Sequence, residues 1–187
     1  MPDAPLRHPL DHLTAWPADA PDVVLRSLAD ATCAYLLARK GQADALAAAL
    51  GIAAQVGTVS RTGPLAYWCV APGRWWVVAE TGRSAGIADQ VAGKLGDTGY
   101  VSDQSQARAM IRVTGPRVLD VLAKGCSLDL AGFGAAACAQ TQIAHISAAI
   151  AATDGGFDLL VPSGFAQDFW EWLEASAAEF APQVVPA

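Results

Sequence analysis

The second half of this chain repeats the order of apolar runs found in the first, and no other sequence feature narrows its fold as much. Trp76-Val77-Val78-Ala79, followed by Gly82 and a helical pattern, can be laid over Phe157-Asp158-Leu159-Leu160-Val161, followed by Gly164 and a helical pattern. Similar elements precede each. Residues 22–28 and 33–38 read as strands, and 42–50 as a short Ala/Leu helix stopped by Gly51. Residues 65–70 and 75–79 form a strand pair about the turn-forming Pro72-Gly73. A helical pattern over 84–95 carries Ile87, Val91 and Leu95 on one face. In the second half, 107–113 reads as a strand, and Thr114-Gly115-Pro116 opens a helix with Thr as N-cap. That helix bears Val118, Leu119, Val121 and Leu122 and ends at Gly125. Residues 139–146 and 157–161 read as further strands, and Ser163 as the cap of a last helix with apolar face Phe165, Phe169, Trp172 and Leu173. The repeat predicts an α+β fold, a duplicated strand–helix–strand–strand–helix unit with helices on one side of a sheet. It divides the chain into an extended N-terminal arm (1–21), a first α+β lobe (22–98), a second (99–180) and a tail (181–187).

The composition bears on partners. Of 187 residues, 53% are hydrophobic and 16% charged, where a typical soluble domain carries roughly a quarter charged. Such an apolar surplus excludes disorder. No stretch approaches the roughly 18 apolar residues of a membrane span; the longest candidate, 131–152, is broken by Gln140, Thr141, Gln142 and His145. Two explanations remain: abundant alanine inflates the apolar fraction, or another subunit covers part of the surface. Net charge is −6 and cations are scattered, Arg39-Lys40 being the longest run. That excludes a nucleic-acid surface and disfavours an anionic membrane. Residues 1–13 lack the apolar core of a secretory signal. Cys33, Cys69, Cys126 and Cys138 lie far apart without a CxxC pair, so reduced, buried thiols and a cytoplasmic location are expected.

Motifs for chemistry are sparse. A Walker A loop fails at Ala88 and Leu95, and G-x-S-x-G is absent. Gly132-Phe133-Gly134-Ala135-Ala136-Ala137 fits G-x-G-x-x-A but precedes a strand instead of following one, so it reads as a surface loop. Cys126, Cys138 and His145 match no zinc spacing and read as two core thiols and a hydrogen-bonded imidazole. A Cys138–His145 nucleophilic pair lacks flanking cations to activate the thiol. Asp103 and Ser105 could bond a ligand but more often cap a turn. Trp75 and Trp76 must face opposite sides of a strand, and Trp170 and Trp172 diverge on a helix. One of each pair is therefore expected to meet solvent, a ligand or a partner, as interface tryptophans do. Trp16 and Trp68 complete the set.

Several runs resemble the gamma subunits of heterotetrameric sarcosine oxidases. They are Asp103-Gln104-Ser105, Arg112-Val113-Thr114-Gly115-Pro116-Arg117, the stretch from Asp120 to Leu130, Ala137-Cys138-Ala139-Gln140-Thr141, His145, and Phe157 to Pro162 with Ser163, Phe165, Ala166, Trp172 and Leu173. The resemblance spans about residues 100–180, with looser likeness over 65–80. It implies a subunit of a complex that oxidatively demethylates sarcosine to glycine and passes the carbon to tetrahydrofolate. FAD, FMN, NAD and zinc would lie on other subunits, and alpha, beta and delta chains would be the partners. It also implies a fold similar to the folate-binding domain of aminomethyltransferases. Those enzymes place an acidic pair in the strand–turn region corresponding to 141–149, where this chain has no carboxylate. No catalytic, cofactor-binding or metal-ligating residue is therefore expected here. The alternative is a free-standing folate-binding or one-carbon-transfer protein of the same superfamily.

Overall fold

The structure is a computed structural model and describes residues 8–80 and 86–186. Its elements follow one another twice in the same order. The first pass is β1 (Val23–Ser27), β2 (Thr32–Ala38), α1 (Ala43–Leu50), β3 (Val59–Thr62), β4 (Leu65–Ala71), β5 (Arg74–Ala79) and α2 (Ile87–Ala92). The second is β6 (Gly99–Asp103), β7 (Arg108–Thr114), α3 (Val118–Ala123), β8 (Cys138–Ile143), β9 (Ile146–Thr153), β10 (Gly156–Pro162) and α4 (Ala166–Ala177), with β11 (Pro182–Val185) appended. The duplication is thus real, and each copy supplies most of one sheet. One sheet runs β11-β1-β7-β10-β9-β8 and the other β3-β4-β5-β2-β6. The opening strand of each pass crosses over: β1 pairs with β7 of the second pass, and β6 with β2 of the first.

Strand alternation then sets three cores. Outward-facing Leu36, Tyr67, Cys69, Trp75 and Val77 pack with Leu46, Leu50, Ile87 and Val91 of α1 and α2. On the other sheet, Leu25, Ile111, Val113, Ile150 and Leu159 pack with Val121 and Leu122 of α3 and Phe169, Trp170 and Leu173 of α4. The inward faces of both sheets share the third core, where Trp68, Trp76 and Val78 meet Met110, Ala149, Ala151 and Leu160. The expected single sheet with helices on one side is therefore two sheets face to face, each with its helices outside.

Several local expectations need correction. Residues 139–146 are not one strand: a two-residue loop, Ala144-His145, folds β8 onto β9 with Ile143 opposite Ile146. Both loop residues have positive φ, 50° and 66°, as a tight hairpin demands but as alanine and histidine resist. Thr114 ends β7 and caps nothing; α3 begins three residues after Gly115, and the Arg117 amide instead donates to the Asp22 carbonyl. Ser163 donates its hydroxyl to the Gln106 carbonyl and lies in a 3-10 turn before α4. Phe165 is exposed, and α4 buries Trp170 in its place. The expected helix start at Ser84, and Gly82, lie outside the described residues. The segment read as a tail supplies β11, parallel to β1. From the arm, Leu10 is fully buried in the core between the six-stranded sheet and α3 and α4, and Trp16 bridges Val184.

Two measurements test this packing. A Cβ at Gly156 would stand 2.1 Å from the Val113 carbonyl oxygen and 2.8 Å from the Thr114 Cα, so Gly156→Ala should destabilise the fold by more than about 2 kcal/mol in urea unfolding. Relief of the left-handed strain at the β8–β9 loop by His145→Gly should stabilise it by about 1 kcal/mol. An unchanged midpoint in either variant contradicts the geometry described.

Candidate functional site

The inward row of β7 reads Arg108, Met110, Arg112, which places a cation at each end of the inter-sheet core and a methionine between them. At one end Arg112 donates from Nε to Asp158 Oδ1 (2.6 Å) and from Nη2 to Asp158 Oδ2 (2.8 Å). The same Nη2 reaches Glu80 Oε2 at 2.9 Å, so the cation of one sheet is shared with a carboxylate of the other. Burial pushes the Asp158 carboxyl up from its ordinary value against the pull of Arg112. Its own hydrogen bonds to Asp158, and then Glu80, hold Arg112 firmly protonated. Such a pair fixes alignment more than it adds stability.

The other end is open. Arg108 is half-buried and its guanidinium lies 4.7 Å from the centre of the Trp76 ring. Tyr35 tilts against the same indole at 4.7 Å. Trp76 Nε1 donates to Gln140 Oε1 (3.3 Å), and Gln140 Nε2 donates to Ser147 Oγ (3.2 Å). These side chains, with Arg74, Ser102 and Gln104, line a cavity of about 390 Å³ at the mouth between the sheets. No carboxylate is among its lining residues. Burial pulls the Arg108 pKa down from its ordinary value. Among the described residues the ion pairs go to Arg112, Arg117 and Lys124; Arg108 has the indole face alone.

The residues singled out by sequence fall apart in space. Asp103 and Ser105 do form a turn: Asp103 Oδ1 accepts from the Ser105 amide (2.8 Å), while Ser105 Oγ accepts from the Cys33 amide and donates to its carbonyl. Cys138 starts β8 in the inter-sheet core, whereas His145 sits exposed beyond its far end, roughly 20 Å along an extended strand. Cys126 packs under α3 in the other core and shares with His145, Lys124, Gln142 and Trp172 a separate cleft of about 640 Å³. Lys124 there is engaged by Glu179 and the Ser176 carbonyl. Among the described residues no group of three or more His, Cys, Asp or Glu is placed to hold a metal. The glycine-rich run at 132–137 is tied down, its Ala136 carbonyl accepting from the Val59 amide. Neither Trp75 nor Trp76 meets solvent: they enter two different cores on the two faces of one sheet. Trp170 is likewise buried, with Nε1 donating to Glu174 (2.7 Å), and Trp172 is partly buried. Arg108 and Arg74 escaped sequence reading because single arginines at strand positions carry no motif.

Burial pushes the Cys33 and Cys138 thiols up to about 12 from an ordinary value near 9.0. Native labelling by iodoacetamide at pH 8 should then be about 1000-fold slower at both than in the unfolded chain, followed by mass spectrometry. Rapid labelling of Cys138 in the native protein would restore it as a nucleophile. Because the folded thiols hold protons that the unfolded ones release, their contribution to stability is complete below pH 9 and lost as pH rises toward 12.

The profile of the sarcosine oxidase, gamma subunit family matches residues 28–179. Sarcosine oxidase subunit gamma from an Arthrobacter species is 33% identical over 96% of this chain and 93% of its own length. Its counterpart from Corynebacterium sp. strain P-1 is 31% identical over the same shares. Among solved structures, a chain of heterotetrameric sarcosine oxidase from Corynebacterium sp. U-96 superposes with a TM-score of 0.76 at 30% identity, covering 88% of both chains. Aminomethyltransferase T of the glycine cleavage system from Bartonella henselae shares the fold alone, with a TM-score of 0.71 at 16% identity over 89% of this chain and 48% of that one. With the family profile matching most of its length and a relative 33% identical over nearly the whole of both chains, this chain belongs to the sarcosine oxidase, gamma subunit family.

Proposed function

We propose that the chain is a non-catalytic subunit of a heterotetrameric sarcosine oxidase, acting in the cytoplasm to assemble and support the flavoprotein subunits. The observation that carries this reading is the likeness, over 88% of both chains, to a chain of a solved heterotetrameric sarcosine oxidase. The chemistry of the site supports it. Buried Cys33 and Cys138 are held protonated, His145 stands apart from both, and the inter-sheet core is filled by indoles and small side chains. In this reading alpha, beta and delta chains are the partners. FAD, FMN, NAD, tetrahydrofolate and zinc act on those chains, where sarcosine loses its methyl group as a one-carbon unit. No described helix is long and apolar enough to cross a membrane.

Co-expression tests the proposal. Omitting this chain should lower the yield of active, tetrameric oxidase at least about tenfold, measured by gel filtration and peroxide release; equal yield without it would overturn the reading. Titration calorimetry of the isolated chain with tetrahydrofolate should give no heat, and micromolar binding would favour a free-standing folate protein instead.

A further inference from the structure

The sheet β3-β4-β5-β2-β6 is covered on its inner face at one side only. Strand register places Trp68, Trp76, Tyr35 and Ser102 in one cross-strand row, and Arg74, Leu37 and Tyr100 in the next. All point toward the second sheet. Along the first row exposure rises outward: Trp68 and Trp76 are buried, Tyr35 is half-buried and Ser102 is exposed. In the second row Leu37 is 40% and Tyr100 56% exposed; the inter-sheet core takes in Trp68, Trp76, Val78 and Cys33 with Met110, Ala149 and Leu160 of the other sheet, and neither Leu37 nor Tyr100 belongs to it. The apolar inner face thus continues past the edge of its cover.

This overhang is also cationic. Arg39 stacks on the Tyr100 ring at 4.7 Å, Arg74 borders Leu37, and Arg108 lies over Trp76. None of the three has a carboxylate partner among the described residues, and neither row contains an acidic residue. In a chain of net charge −6, three unneutralised arginines around exposed tyrosine and leucine are an uncommon local excess. Arginine and tyrosine are the residues enriched where proteins meet. Among the described residues the rim strand, β6, pairs with β2 alone, and an unpaired strand edge suits an occupant in extended conformation.

We infer that the face formed by Tyr35, Leu37, Arg39, Arg74, Tyr100 and Arg108 docks an extended acidic segment of another subunit of the oxidase. Its carboxylates would pair with Arg39 and Arg74 at the rim and reach Arg108 through the cavity mouth, while its apolar side chains cover Leu37 and Tyr100. The inference rests on the subunit role proposed above.

A photo-crosslinking amino acid at Tyr100, in the complex co-expressed from all its chains, should link to a partner segment rich in Asp and Glu, identified by mass spectrometry. The exposed double variant Arg39→Glu/Arg74→Glu should weaken assembly at least about tenfold at low salt and flatten its salt dependence. Lys94→Glu, exposed just beyond α2, should change neither, and folding of each variant is checked by its thermal midpoint. If the wild-type chain fails to assemble with the other subunits, the subunit reading falls and this inference with it. If the wild type assembles and the double variant assembles equally well, or Tyr100 links to a neutral or basic segment or to nothing, the inference alone is overturned.

Discussion

Burial of both faces of both sheets is the constraint on which the rest of this structure depends. Each sheet has helices against its outer side and the other sheet against its inner side, so central strands such as Leu65–Ala71 and Gly156–Pro162 are buried on alternate and intervening residues alike. That arrangement accounts for much of the charge shortfall without invoking a partner. It also gives alanine a specific task. Two sheets packed face to face leave about 10 Å between them, and one sheet fills that space with Trp68 and Trp76. The facing strand β9 therefore presents Ala149 and Ala151, and β8 presents Cys138. Large against small across the seam is what lets two indoles enter one core at interior density.

The ends of the seam divide the electrostatic work. At one end Arg112, Asp158 and Glu80 tie the sheets together with charges that satisfy one another. At the other, Arg108 is answered by the indole face of Trp76. One closed end fixes the angle between the sheets. The open end leaves a cationic, aromatic shelf whose charges are not answered within the chain.

How far the sequence revealed this depended on what each element needed from its residues. The order of strands and helices was legible because apolar periodicity marks β1, β2, α1, β4, β5, β7 and β10 directly. Strand β9 was not, because its Ala-rich run lacks β-branched side chains and its turn uses Ala144-His145 where glycine or asparagine would have signalled a hairpin. Strands β3 and β6 are short edges with polar residues, Ser60, Arg61, Ser102 and Asp103, and their identity comes from pairing. Trp75 and Trp76 do diverge, yet a core on each face of their sheet offered both a buried destination that one-sheet reasoning lacks, while Trp170 and Trp172 pack in and against one core. Of the candidate site, the Asp103–Ser105 turn was visible; the convergence of Arg74 from β5 and Arg108 from β7 was not, because it exists only once two sheets are stacked.

The exchange of β1 and β6 between the sheets has a consequence for how such a chain can arise and come apart. One copy of the repeat by itself would hold an opening strand with no sheet of its own to join, and a sheet lacking that strand's counterpart. Two copies trading their strands satisfy each other, which is the geometry of a swapped homodimer joined here through residues 93–98. Neither half is then a smaller version of the whole. A cut in that connection would leave two fragments still interlocked, and removal of either would strip a strand from the sheet of the survivor.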